Sequence, residues 1–267
     1  MNYLFWNVHK NKNINNILCK IIINNNIDIV ALAEYDGDGT QLLEMLSEKS
    51  FYLYEVPKIA CNRISIFTKY NANKINHLKE TDHYTLKLIP HESLGEHIIA
   101  FVHLSSNMYK DDYDKIVELS SLRNAIENEE NKFNTSNSII VGDFNMNPFE
   151  KPIVLASATH ALSSRNVVEK LKRVIDKQEY KMFYNPMWNL LGDESWPPGT
   201  YYYSNSSQIA YFWHMFDQVI IRPQLINNFD FNELHILTKV DSINLINKNK
   251  IPDKTISDHL PILFRII

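Results

Sequence analysis

Short apolar runs bounded by polar residues are the most regular feature of this chain. Runs of this length, rich in Ile, Val, Phe and Tyr, are typical of β-strands. Seven of them predict strands: YLFWNV (3–8), IDIVALAE (27–34), RISIFTK (63–69), HIIAFVHL (97–104), SIIVGDFN (138–145), MFDQVIIR (215–222) and LPILFRI (260–266). Apolar side chains occupy both alternating faces of these runs, so we expect their sheets to be covered on both sides.

Two segments between these strands have the 3.6-residue period of a helix. One apolar stripe is formed by Ile14, Ile17, Leu18 and Ile21, and another by Ile116, Leu119, Leu122 and Ile126. Residues 164–178 (SRNVVEKLKRVIDKQ) predict a third, exposed helix. We therefore expect one α/β domain spanning residues 1–267, with two stacked sheets and outer helices.

Composition and charge narrow the functional classes. The formal net charge is −4, so the protein as a whole has no positive field that would attract nucleic acid or an acidic membrane. Only a local basic groove could do so. The two cysteines, Cys19 and Cys61, form no metal-ligand spacing and no disulfide framework. No apolar stretch approaches the roughly 18 residues of a transmembrane segment, and the first run breaks at Asn7 instead of continuing as a signal peptide. We expect a soluble, cytoplasmic protein.

Polar side chains stand at the ends of the predicted strands. Asn7 follows YLFW, Glu34 follows IVALA, His103 follows IIAFV, and Asp143 with Asn145 follows SIIVG. Asp217 precedes QVII, and Asp258 with His259 precedes LPILF. Strands that end polar and strands that begin polar meet at one rim if they run in opposite directions. Each residue alone also fits a simpler role, as a turn cap or a hydrogen-bonded core residue. Their recurrence at six strand ends favours a common site.

Asp143 and Asn145 indicate which ion such a site would bind. Two positions apart in an extended chain, they are expected to point to the same side. Carboxylate and amide oxygens are hard ligands that suit Mg²⁺ or Mn²⁺. Several carboxylates at one mouth would repel each other and raise at least one pKa unless a cation neutralises them.

Five motifs in this order resemble a known family. They are AEYD (33–36), VHL (102–104), GDFN (142–145), FDQVII (216–221) and SDHLP (257–261). With Asn7 ahead of them, they resemble the endonuclease/exonuclease/phosphatase superfamily, which includes deoxyribonuclease I. The resemblance implies a four-layer α-β-β-α sandwich of two packed mixed sheets, with the site where the sheets open.

The same resemblance implies a metal site. Glu34 matches the principal metal-binding glutamate of the family, and Asn7 matches the amide beside it that helps to hold metal or phosphate. Asp258 matches an acid that orients His259 or contacts a second metal. The implied cofactor is Mg²⁺ or Mn²⁺.

Catalytic roles are implied for five positions. Asp143 matches the acid that activates or orients the attacking water, and Asn145 matches the amide that orients the phosphate. His259 matches the histidine at the scissile phosphate, and His103 the second histidine, a general acid or phosphate ligand. Asp217 matches an acid that supports the second histidine or orients the scissile group. Both histidines are expected to titrate near neutrality, which suits acid–base work.

The implied activity is that of a monomeric, metal-dependent phosphodiesterase, with a nuclease as the leading interpretation. The alternatives are an inositol-phosphate phosphatase or sphingomyelinase-like enzyme, and a catalytically silent binding protein. Arg63 and Arg222 are candidate phosphate contacts or ordinary surface charges. The aromatic-rich segment 180–214 either stacks nucleobases or packs its own rings over a sheet edge.

Overall fold

The computed structural model describes residues 1–106 and 111–267, and that part of the chain contains 19 strands and five α-helices. The strands are β1 (Asn2–Asn7), β2 (Ile29–Ala33), β3 (Tyr54–Val56), β4 (Ile64–Thr68), β5 (Asn76–Glu80), β6 (Tyr84–His91), β7 (Gly95–His103), β8 (Ser138–Asp143), β9 (Ala161–Leu162), β10 (Lys172–Ile175), β11 (Gln178–Lys181), β12 (Phe183–Tyr184), β13 (Tyr201–Tyr202), β14 (Trp213–His214), β15 (Asp217–Ile221), β16 (Phe229–Ile236), β17 (Lys239–Val240), β18 (Ile243–Asn244) and β19 (Ile262–Ile266). The helices are α1 (Asn15–Asn24), α2 (Gly39–Ser47), α3 (Asp112–Phe133), α4 (Lys151–Val154) and α5 (Arg165–Val168). None of the described helices is long and apolar enough to cross a membrane.

Two large sheets are built from these strands, and both are mixed. The first has the order β16-β19-β1-β2-β4-β3, with β1 and β2 parallel. The second has the order β5-β6-β7-β8-β15-β12-β9, with β7 and β8 parallel and β15 antiparallel to β8. All seven predicted strands are present in these two sheets.

The alternation of side chains along β1 shows how the layers pack. Tyr3 and Phe5 belong to the central core between the sheets, together with Phe101 of the second sheet. Leu4 and Trp6 face the other way, into a core that includes residues of α1 and α2. A third core lies between the second sheet and α3. Three cores separate four layers, so the predicted α-β-β-α sandwich is confirmed.

The predicted helix over residues 164–178 is wrong. Only α5 is helical; a turn follows it, and residues from 172 onward form the hairpin β10–β11. Of the α5 side chains only Val168 is buried, so a longer helix here would have no apolar face to dock. The tight turn at Asp176 and Lys177 has positive φ at both residues, the backbone of a two-residue hairpin connection.

A buried hydrogen bond joins the two sheets near the start of β1. The Tyr3 hydroxyl lies 3.0 Å from Nε2 of His97 on β7, and the ring of His91 packs edge-on against His97. Burial lowers the pKa of His97 to about 3, so its imidazole is neutral in the folded protein.

We therefore expect the free energy of unfolding to depend on pH through His97. The unfolded chain binds a proton on this histidine near pH 6.5 and the folded chain does not, so stability decreases as the pH falls from 6.5 towards 3. The slope from this residue is at most about 1.4 kcal/mol per pH unit. Urea unfolding of the His97→Gln variant between pH 7 and 4.5 should show a flatter dependence than the parent protein. Equal slopes would contradict the assignment.

Candidate active site

The strand register brings the polar strand ends to one edge of the sandwich. Asn7 pairs in register with Ala33, one residue before Glu34, and His103 pairs with Asp143. Asp217 begins β15 opposite Asp143. A cleft of about 840 Å³ opens at this edge, and among the residues that line it are the predicted Asn7, Glu34, Arg63, His103, Asp143, Asn145, Asp258 and His259.

Backbone conformation at this edge is unusual for the residue types present. A Cβ at Gly142 would lie 1.9 Å from the carbonyl oxygen of Val102, so only glycine permits β7 and β8 to approach this closely just before Asp143. Glu34 and Asn145 have φ of 50° and 51°, in the left-handed region that non-glycine residues rarely adopt. Such strain is stored most often at functional sites.

Asp143 is the centre of the hydrogen-bond network. Its Oδ2 accepts from Nδ2 of Asn7 at 3.0 Å, and its Oδ1 accepts from the backbone N–H of Asn145 at 2.8 Å. The Nε2 atoms of His103 and His259 each lie 3.9 Å from the same Oδ2. Nε2 of His103 is also 3.6 Å from Oε1 of Glu34. One carboxylate is therefore flanked by two imidazoles, with a second carboxylate beside one of them.

Asn145 lines the cleft, but it does not lie beside Asp143 on one side of an extended chain as expected. It does not continue β8 in an extended conformation, because its positive φ turns the chain back towards Asp143. Its Nδ2 donates to the carbonyl oxygen of Leu104 at 2.9 Å, which fixes the side-chain amide.

His259 is held by Asp217, and not by its sequence neighbour Asp258. Nδ1 of His259 is 2.8 Å from Oδ2 of Asp217, a side chain that is fully buried behind the cleft. Burial opposes protonation of His259, but Asp217 and Asp143 outweigh it and raise its pKa to about 10. Burial also raises the pKa of Asp217, against the effect of His259. The expectation that His259 titrates near neutrality is therefore wrong, since two carboxylates stabilise its imidazolium.

Glu34 and Asp258 are the two acidic side chains besides Asp143 among the described residues that line the cleft. Oδ1 of Asp258 is buried without a hydrogen-bond partner among the described residues, although Nδ1 of His9 is 3.3 Å away. A desolvated carboxylate oxygen of this kind is stabilised when a cation binds it. Asn7 directs Nδ2 at Asp143, and its Oδ1 accepts from the backbone of His9.

A second group of potential ligands is formed by Asp143, Asp217 and His259, whose donor atoms lie within 4.8 Å of one another. Here the Nδ1 of His259 is already engaged by Asp217, and both oxygens of Asp143 accept hydrogen bonds. A cation that used the imidazole of His259 would have to displace a proton from it, because Asp217 and Asp143 raise its pKa. The geometry therefore suits proton transfer and charge stabilisation better than metal binding.

Comparison with solved structures assigns the fold. A family protein from Leptotrichia buccalis described as endonuclease/exonuclease/phosphatase aligns with a TM-score of 0.56 at 16% identity, over 100% of this chain and 99% of its own. The chain has the endonuclease/exonuclease/phosphatase fold. A Neisseria 3′ phosphatase bound to a product DNA hairpin aligns at 0.58 and 10% identity, over 100% and 99%. A mannosyl-6-phosphatase from Bacteroides thetaiotaomicron aligns at 0.56 and 12%, also over 100% and 99%. No family model and no curated protein matches the sequence.

Within this endonuclease/exonuclease/phosphatase fold, several residues that support the site were not predicted. Oγ of Ser257 donates to the carbonyl oxygen of Asn7 at 2.7 Å and accepts from the backbone N–H of His259 at 3.1 Å. Nε1 of Trp6 donates to the carbonyl oxygen of His259 at 2.9 Å. The ring of Tyr201 lies 4.7 Å from that of His259. Ser257 stands in the SDHLP motif, which is the signal that could have identified it.

Arg63 and Arg222 have different environments. Arg63 lines the cleft, and the loop before it is fixed by Glu80, whose Oε2 accepts the backbone N–H groups of residues 59–61 at 3.2, 2.6 and 3.1 Å. Arg222 lies at the opposite end of β15, is 2% exposed and pairs with Glu130 at 2.7 Å. The interpretation of Arg222 as a phosphate contact is wrong, because its guanidinium is buried and forms an ion pair with Glu130.

The segment 180–214 contains both packed and exposed rings, and its stacking of nucleobases stays a prediction. Trp196 and Trp213 pack edge to face within the segment, at a centroid distance of 5.8 Å. Tyr203 and Tyr211 line the cleft and are 49% and 57% exposed. Part of the segment therefore packs on itself and part presents open rings beside the candidate active site.

Replacing Arg222 with methionine should destabilise the protein. Among the described residues, Glu130 would keep the partly exposed Lys181 at 3.1 Å as its partner, and breaking a buried ion pair costs about 3–5 kcal/mol. Urea unfolding measures the loss, and the double variant Arg222→Met/Glu130→Leu should recover part of it because it removes both charges. Unchanged stability together with weakened phosphate binding would restore the surface-contact interpretation.

Proposed function

We propose that this protein is a divalent-metal-dependent phosphodiesterase, and that its substrate is nucleic acid. The observation that supports the proposal most directly is the arrangement of two imidazole Nε2 atoms, each 3.9 Å from the same oxygen of Asp143, inside a cleft lined by Glu34 and Asp258. Acids and imidazoles around one space supply the groups that phosphoester hydrolysis requires.

Each group has a distinct part in this proposal. Asp143, fixed by Asn7 and Asn145, orients the attacking water and accepts its proton. His259, kept protonated by Asp217, stabilises the negative charge that develops on the phosphoryl oxygens. His103 donates a proton to the leaving oxygen, which develops negative charge as the phosphoester bond breaks.

Glu34 and Asp258 would hold Mg²⁺ or Mn²⁺, which prefer carboxylate oxygens. When bound, such an ion polarises the phosphate and neutralises charge in the transition state. The role of Asn7 in this proposal is to place Asp143, since its amide nitrogen faces that carboxylate. A single domain over residues 1–267, a monomeric state and a cytoplasmic location stay predictions.

A phosphomonoesterase acting on a small phosphorylated molecule is the second candidate. Two arginine or lysine side chains, Lys10 and Arg63, are among the described residues that line the cleft, and such a pair suits a compact anion as well as a short strand. One solved structure with this fold is a mannosyl-6-phosphatase. The inositol-phosphate, sphingomyelin and silent-binding alternatives are decided by the same experiment.

We expect metal-dependent hydrolysis of nucleic acid. The protein is incubated with Mg²⁺ or Mn²⁺ and with single-stranded DNA, duplex DNA, RNA, inositol phosphates, a sugar 6-phosphate and sphingomyelin, each also in EDTA. The His259→Ala variant should reduce kcat/KM by about 10²–10⁴-fold, because it removes the charged imidazole beside the phosphate.

The controls separate the alternatives. The exposed variant Phe212→Ala, whose side chain is 44% exposed and does not line the cleft, should keep full activity. Hydrolysis of small phosphates or lipid with intact nucleic acid would reject the nuclease interpretation. A lack of metal-dependent turnover on every substrate would favour the silent-binding alternative.

The two groups of potential metal ligands predict different effects of substitution on Mg²⁺ binding. If Glu34 and Asp258 hold the ion, saturating Mg²⁺ should stabilise the parent protein by about 2.7 kcal/mol at 100 times its Kd. The Glu34→Gln variant should lose this stabilisation and His259→Ala should keep it. Thermal unfolding with and without Mg²⁺ measures both. Retention in Glu34→Gln and loss in His259→Ala would assign the ion to the Asp143–Asp217–His259 group instead.

A further inference from the structure

A series of aromatic rings leads from His259 out of the cleft. We call this series the aromatic track, and its rings in order are His259, Tyr201, Phe216, His214, Tyr211 and Phe149. Successive ring centroids are 4.7, 5.2, 4.7, 6.0 and 5.5 Å apart. The outer rings are accessible, since Tyr211 is 57% and Phe149 is 37% exposed. The inner rings are largely covered and anchor the track to the catalytic histidine.

The two walls of the cleft differ in chemistry. Lys10 follows β1 and Arg63 precedes β4, so both cations belong to the edge of the first sheet. Phe216 precedes β15 and Phe149 follows β8, so these rings belong to the edge of the second sheet. The edge of the first sheet therefore offers two cations beside the acids Glu34 and Asp258, and the edge of the second sheet offers rings. Cations together with rings suit a single strand, because cations contact the phosphates and rings stack on the bases.

The length of the track distinguishes a polymer from a small ligand. Tyr211 and Phe149 are four and five ring contacts away from His259. Their centroids are 5.5 Å apart, more than the roughly 3.4 Å by which a stacked strand advances per nucleotide. Phe149 lies beyond the residues that line the cleft, where a sugar phosphate or head group bound at His259 has no reason to extend. In a duplex the base faces are already stacked on each other, so open rings gain nothing from it.

We propose that the aromatic track binds an unpaired nucleic-acid strand beside the scissile phosphate, with successive bases on Tyr211 and Phe149. The inference rests on the proposed function for the position of the cut, whereas binding along the track is measurable without turnover. Each outer ring should contribute at least about fivefold to affinity, the lower end of base–aromatic stacking.

The test uses fluorescence anisotropy in EDTA with labelled oligothymidylates of one to eight nucleotides, a hairpin duplex, and sphingomyelin vesicles. Kd should fall with length over the first few nucleotides and then level off. Tyr211→Ala and Phe149→Ala should each raise Kd for the longest strand at least fivefold, and by a larger factor than they raise Kd for the mononucleotide. Tyr211→Trp should retain binding. The matched control is Phe212→Ala, an exposed ring that contacts Tyr202 outside the track.

Several outcomes would overturn the proposal. They are a Kd independent of strand length, an equal loss in Phe212→Ala, and vesicle binding that needs Tyr211 while oligonucleotides do not bind. Thermal unfolding of each variant shows whether it is folded. Hydrolysis of nucleic acid combined with a Kd that is independent of strand length would reject binding along the aromatic track and support the proposed function. Length-dependent binding without hydrolysis of any substrate would support binding along the track and reject the proposed function.

Discussion

The hydrogen bond between Asn7 and Asp143 joins the two sheets at the point where the site is built. Asn7 ends β1 in the first sheet and Asp143 ends β8 in the second, and their side chains meet at 3.0 Å in a buried environment. Near the other end of β1, Tyr3 bonds to His97 of the second sheet. Two contacts along one strand fix the sheets relative to each other, so the residues carried by the two edges are held in a common frame.

The sequence predicts which residues reach this edge but not how they pair. A change from apolar to polar side chains marks the end of each strand, and opposite strand directions bring those ends together. Pairing depends on where each side chain points. Asp258 and His259 are adjacent in the chain, yet Asp258 lies near His9 in the cleft and does not bond to the imidazole of His259. The imidazole instead bonds to Asp217, which is 42 residues away in the chain.

Two other differences between prediction and structure, at Arg222 and at residues 164–178, have separate causes. Arg222 follows a strand as a surface arginine would, and only the folding of α3 against the second sheet places Glu130 beside it. Residues 171–178 contain charged and apolar side chains in an order compatible with helix or hairpin. The choice is made by local pairing, since a four-residue helix with one buried valine gains little from extension, whereas β10 and β11 form a ladder with each other.

Buried charge is treated differently at the two ends of β15. At its end, the guanidinium of Arg222 donates to Glu130, Glu127 and the carbonyl oxygen of Met182, so the charge is fully paired. At its start, Oδ1 of Asp217 is buried without a hydrogen-bond partner among the described residues, as is Oδ1 of Asp258 nearby. Desolvated carboxylate oxygens cost stability in the free protein. A cation bound in the cleft would recover that cost at Asp258, whereas Asp217 lies behind the cleft and is balanced by the imidazolium of His259. Unsatisfied charge at the cleft therefore indicates a binding site, and satisfied charge at the far end indicates structure.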